Sequence, residues 1–132
     1  MNRGRRVMRW LRCVAILMLL GVVMRPVHAE SPVGDANRGR ALYQSCLGCH
    51  SIDEDDVGPR HRGVVGRRAG SIPSYAYSAA LRSSGLVWTP SVLDRWLQNP
   101  QALVPGSKMF FSLADPRDRA DVIAYLATLG GP

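Results

Sequence analysis

Apolar residues recur at helical spacing in three stretches of the chain. Ala36, Leu42, Tyr43 and Cys46 do so through Asp35 to Cys46, which predicts a first helix ending at Cys46. Thr89-Pro90 is an N-cap followed by proline at the first helical position. Val92, Leu93, Trp96 and Leu97 then make an apolar face that Asn99-Pro100 ends. Asp115-Pro116 opens a third helix bearing Ala120, Val122, Ile123, Tyr125, Leu126 and Leu129, closed by Gly130-Gly131-Pro132. A short helix is predicted from Tyr75 to Arg82, stopped near Gly85. Between these lie two polar stretches with loop chemistry, Ser51 to Ser74 and Gln101 to Ala114. With no alternating strand segments and no repeats, the predicted class is all-α with long loops. Loops of that length in a small domain need something to organise them, and a large buried cofactor does so.

The N-terminus follows a different pattern. Arg3, Arg5, Arg6, Arg9 and Arg12 come without an acid, Cys13 to Met24 is uncharged and apolar, and Val27-His28-Ala29 follows. This is the layout of a cleaved secretory leader. A membrane anchor needs about 20 apolar residues, whereas roughly twelve helical residues span about 18 Å. A lipoprotein is disfavoured because Cys13 stands at the front of the apolar run. The expected domains are a leader over 1–29 and a single domain over 30–132.

Cleavage after Ala29 changes the charge argument. The whole chain of 132 residues carries +7, but six arginines leave with the leader and all ten acids remain. Eleven basic against ten acidic residues is a net of +1. The basic balance of the whole chain therefore gives no reason to expect nucleic acid or a membrane as partner. Cys46 and Cys49 become the only cysteines, and Met109 the only methionine.

Cys46-Leu47-Gly48-Cys49-His50 has the C-x-x-C-H spacing of covalent haem c attachment. Two thiols one turn apart form thioethers with two vinyl groups, and the adjoining imidazole reaches the iron. Leu47 and Gly48 are spacers. A thioredoxin-type redox pair expects a βαβ context that is missing here. A structural disulfide leaves His50 without a role, and zinc does not match adjacent Cys49 and His50 even with His61 added. Electron-transfer haem takes a sixth protein ligand, and a thioether there raises the potential. Met109, in the polar turn Val104-Pro105-Gly106-Ser107-Lys108-Met109, is the expected donor rather than a core gap-filler. His61, eleven residues beyond His50, reads as an ordinary loop or surface histidine. The run Asp53-Glu54-Asp55-Asp56 reads as a solvated loop rather than a metal site.

On these residues the sequence resembles the class I cytochromes c, the family of mitochondrial cytochrome c and its soluble bacterial relatives, over essentially all of the chain beyond the leader. The resemblance implies the small all-α fold of that family wrapped around one haem. It implies that Gly39 and Tyr43 pack on the terminal helix against Tyr125, and that the Pro59 carbonyl of Gly58-Pro59 accepts a hydrogen bond from His50. It further implies that Arg67, Tyr77 and Trp88 surround the haem propionates and that Ser107 lies near a propionate or a buried water.

Three departures stand out. His61 occupies the position of a leucine beside the haem. Trp96 replaces a tyrosine near Met109, which removes a hydroxyl donor and predicts altered hydrogen bonding around Met109, hence an altered potential. Lys108 is the only lysine, so the lysine ring that mitochondrial relatives use for docking is missing.

The expected function is a periplasmic monohaem carrier of single electrons, not an enzyme, exchanging electrons with donor and acceptor proteins. It is expected to be a monomer that meets the membrane only transiently through partner complexes. A dedicated haem subunit of a periplasmic oxidoreductase is the alternative, and an open-site peroxidase or sensor is a more distant one.

Overall fold

The structure, a computed structural model, describes residues 33–130. The predicted leader over 1–29 and the final two residues lie outside the described residues. In chain order the helices are α1 (Ala36–Leu42), α2 (Ala79–Ser83), α3 (Pro90–Gln98), α4 (Pro100–Leu103) and α5 (Pro116–Thr128). Among the described residues there is no strand, only an isolated antiparallel pairing of Arg68 with Val87. The all-α reading therefore holds.

Each helix begins where a side chain can satisfy its free amides. The Asp35 carboxylate accepts from the Asn37 and Arg38 N–H groups, Thr89 caps α3 and Asp115 caps α5, with Pro90 and Pro116 in the first turns. The first predicted helix is not uniform: after Leu42 it tightens into a 3₁₀ turn over Tyr43–Cys46. The helix expected from Tyr75 starts later, at Ala79, because the Ser78 hydroxyl accepts from the Leu81 N–H at 3.1 Å and sets the N-cap there. The stretch expected to be loop from Gln101 begins instead as α4. Asn99 both ends α3 and caps α4, accepting from the Ala102 N–H at 3.0 Å.

α1 crosses α5 at a point of backbone contact. A Cβ on Gly39 would collide with the Asp121 carbonyl and press on Tyr125, so only glycine fits. Tyr43 and Val122, each 1% exposed, fill the space beside that crossing. The Tyr43 and Tyr125 rings meet tilted at 5.2 Å. Full burial of each such side chain stabilises the fold by about 1.5–3 kcal/mol. Asp121, fully buried, accepts from the Asp35 N–H at 2.7 Å and pairs with Arg38, which also reaches Asp118. α3 packs on α5 as well, and Arg119 ties them by donating to Asp94 and to the carbonyls of Leu113 and Ala114. This frame leaves 47–78 and 104–114 free to wrap around a central cavity.

Candidate functional site

The 3₁₀ turn presents the first thiol, and two further bonds carry the turn onward. The N–H groups of Cys49 and His50 both donate to the Cys46 carbonyl, at 3.1 and 2.9 Å. Cys46 is half-buried and Cys49 exposed; both thiols are free and both line one cavity. Burial pushes the Cys46 thiol above its ordinary value. Leu47 is exposed and Gly48 faces open space, as spacers require.

His50 is fixed from two sides. Its Nδ1 lies 2.7 Å from the Pro59 carbonyl oxygen, which can only accept, so Nδ1 carries the proton and Nε2 carries the free lone pair. Gly58 lies flat against the ring, where a Cβ would overlap Cε1. Gly58 is itself held by donating to the Cys49 carbonyl at 2.6 Å. Burial lowers the His50 pKa and favours the neutral imidazole.

His61 lies on a loop, as expected from its surroundings in sequence, but it is half-buried rather than on the surface. Its ring stacks on His50 at 4.0 Å and 22°, and Nδ1 lies 2.9 Å from the Tyr43 hydroxyl. Burial, reinforced by the neighbouring His50 and Arg67, pushes its pKa down to about 3. The chain loops back to bring it there, since the His61 and Arg62 N–H groups donate to the carbonyls of Ser51 and Ile52.

Met109 stands in the wall of the same cavity. The indole N–H of Trp96 donates to its Sδ at 3.2 Å, so the hydrogen bonding around Met109 is made by an indole rather than a hydroxyl. Trp88 packs on Trp96 at 5.1 Å, and Tyr75 meets Tyr77 edge-on at 4.7 Å. Tyr77, Trp88 and Arg67 all line the cavity, as does Pro59. The Arg67 guanidinium donates to the carbonyls of Arg62 and Arg60 at 2.9 and 2.8 Å, so part of its donor set braces the wrapping loop. Ser107 is buried, and its hydroxyl accepts from Gln101 Nε2 at 2.9 Å. Gln101 had no signal in the sequence beyond its position after Asn99-Pro100.

The acidic run does serve the loop. Asp53 pairs with Arg62, and Asp55 accepts from the Arg60 N–H at 3.0 Å and from the Ser74 hydroxyl at 2.5 Å. Among the described residues no group of three or more His, Cys, Asp or Glu side chains is placed to hold a metal ion by itself.

The cavity has a volume of about 410 Å³ and is walled mainly by aromatic and aliphatic side chains, among them Tyr43, Val64, Leu81, Trp88 and Leu97. Two free thiols, an imidazole with Nε2 uncommitted and a thioether converge on it. That donor set fits a flat apolar macrocycle tethered through two sulfurs, its iron held by nitrogen and sulfur. Val57, Phe110 and Phe111 are exposed and also line the cavity, which places them at its mouth.

Comparison with known proteins identifies related chains. Residues 36–130 match the family model described as Cytochrome c. The chain is 47% identical to cytochrome c2 of Rhodomicrobium vannielii over 102 residues, 74% of this chain and 82% of that protein. It is also 47% identical to cytochrome c2 of Rhodopila globiformis, covering 76% of this chain and 98% of that one. Among solved structures, cytochrome cH from Methylobacterium extorquens superposes with a TM-score of 0.70 at 44% identity, over 72% of this chain and 99% of that chain. Cytochrome c2 from Rhodospirillum centenum gives 0.70 at 33% identity, over 74% and 100%.

Proposed function

The chain belongs to the cytochrome c family, a monohaem electron-transfer protein with one covalent haem c, and from that premise we propose that it shuttles single electrons between redox proteins of the periplasm. In this reading Cys46 and Cys49 would form the two thioethers, and His50 Nε2 and Met109 Sδ would hold the iron. The observation that carries it is the convergence of these four side chains on one apolar cavity.

Bound haem supplies the one-electron Fe(III)/Fe(II) couple. The protein's part is to fix the ligands and keep water out. The Pro59 carbonyl holds the His50 proton on Nδ1, which raises the basicity of Nε2. Trp88, Leu97 and their neighbours keep the surroundings apolar, and Arg67 places a positive charge at the wall to offset propionate charge. Electrons pass at the mouth, where Val57, Phe110 and Phe111 are exposed beside the cavity. These side chains offer a partner an apolar contact rather than a ring of lysines.

Export rests on the leader pattern over 1–29. No helix among the described residues is long and apolar enough to cross a membrane. The mass of the purified protein checks cleavage after Ala29. Optical spectra of the oxidised and reduced protein test the ligand set. The weak near-infrared sulfur-to-iron band is expected in the oxidised protein and is lost in Met109→Ala. Haem without that band would move the open-site reading to the front.

A further inference from the structure

Gln101 spans the loop that carries Met109. Its Nε2 lies 2.9 Å from the Ser107 carbonyl, 2.9 Å from the Ser107 hydroxyl and 2.8 Å from the Met109 carbonyl. Its Oε1 accepts from the Gly106 N–H at 3.3 Å. An amide nitrogen has two hydrogens, so three acceptors require at least one shared bond, and the side chain's donor capacity is fully spent on this loop.

The post from which Gln101 acts is itself fixed. Asn99 caps α4, Pro100 is buried, and the Leu103 and Val104 N–H groups donate to the carbonyls of Asn99 and Pro100 at 3.2 and 2.9 Å. Within the loop the backbone adds one bond, Ser107 N–H to the Val104 carbonyl at 3.1 Å. Beyond Met109 the next backbone anchor is Leu113 donating to Leu97 at 2.7 Å. Beside the Lys108 ammonium, which donates to the Ala76 carbonyl at 2.5 Å, the side chain of Gln101 is thus a polar tether of the backbone on either side of the methionine.

We infer that Gln101 is a positioning residue for the sixth ligand: by clamping the carbonyls of Ser107 and Met109 to α4 it holds the thioether against the cavity and sets how readily the loop yields that position to an external ligand. The inference rests on the reading of Met109 as the axial ligand. Trp96 acts on the sulfur atom and Gln101 on the backbone that carries it, so the two contacts have separate consequences.

The test is stopped-flow capture of imidazole by the oxidised, haem-loaded protein. Gln101→Met keeps the length of the side chain and removes every polar contact. Gln101→Glu keeps an oxygen for the Gly106 N–H but turns an acceptor toward three acceptors. Both variants are expected to take up imidazole about tenfold faster or more, the equivalent of losing one or two net hydrogen bonds. Ser107→Ala, which leaves both carbonyl contacts in place, is expected to change the rate far less. If the wild type shows the sulfur-to-iron band but both Gln101 variants capture imidazole at its rate, the inference fails while the ligand reading stands, even if unfolding temperatures fall. A wild type without the band removes the ligand reading and the inference with it. Hydrogen exchange on the wild type is a check that needs no variant: Gly106 is exposed, so its N–H is protected only if Gln101 Oε1 holds it, and free exchange there overturns the clamp.

Discussion

The indole N–H of Trp96 points at the sulfur of Met109 across 3.2 Å. The tryptophan is 7% exposed and leans on Trp88, so it has little freedom to turn away. A donor on a thioether draws lone-pair density from the side that faces a metal. The oxidised iron needs that density more than the reduced iron does, so the bond favours reduction. Trp96→Phe keeps an aromatic ring and removes the donor, and its reduction potential is expected to fall. If the bond differs by about 1 kcal/mol between the two oxidation states, the shift is about 40 mV for one electron. Protein-film voltammetry measures it, and an unchanged or higher potential would show that the bond does not act on the redox couple.

Gly58 leaves no room for a side chain against His50. The backbone cannot retreat, because its N–H is bonded to Cys49 at 2.6 Å and the next carbonyl receives the His50 proton. Gly58→Ala is expected to cost about 1–3 kcal/mol in denaturant unfolding, the range for overpacking. It should also perturb the ring resonances of His50 in the NMR spectrum. A variant with wild-type stability and unmoved His50 signals would mean that the loop adapts freely.

Tyr43 and His61 satisfy one another in a buried place, the hydroxyl 2.9 Å from Nδ1. Removing one leaves the other without a partner, which costs about 1–3 kcal/mol. Removing both leaves an apolar contact. Urea unfolding of Tyr43→Phe, His61→Leu and the double variant is therefore expected to be non-additive, the double losing about 1 kcal/mol less than the sum. Strict additivity would count against the bond.

The carboxylate of Asp121 is held below the ordinary value of 3.8, first by the Asp35 N–H and then by Arg38. A lowered folded pKa means the unfolded chain binds the proton more readily. Its stabilising contribution is complete above about pH 4 and is lost as the pH falls through the folded pKa. Asp121→Asn is expected to be less stable at neutral pH and to lose less on acidification below about pH 4 than the wild type. Unfolding midpoints across that window give the comparison. Parallel curves would place the acid sensitivity elsewhere.

Much of the architecture is legible because its signals are local. Thr89-Pro90 and Asp115-Pro116 start helices through bonds to amides two or three residues away, and those bonds form wherever the segment sits. Ser78 is an equally local cap: it starts α2 at Ala79 and leaves Tyr75 and Tyr77 outside the helix, where they line the cavity. Asn99 shows the same limit, since its role in ending α3 concealed its role in starting α4.

The site divides along a related line. Cys46, Cys49 and His50 are close together in the chain, and Met109 is the only methionine after residue 29, so residue type and spacing alone determined the chemistry to expect. Which groups control those four was decided by tertiary structure. His61 reaches His50 because 51–62 folds back on itself, Trp96 reaches Met109 from a neighbouring helix, and Gln101 reaches Ser107 and Met109 across a turn. A bond between residues distant in sequence depends on where two backbones cross, and that crossing is set by the packing of Gly39 against Asp121 and of side chains around the cavity. Sequence carries a motif when its members share one turn of chain. It does not display a contact whose distance is the sum of every fold in between.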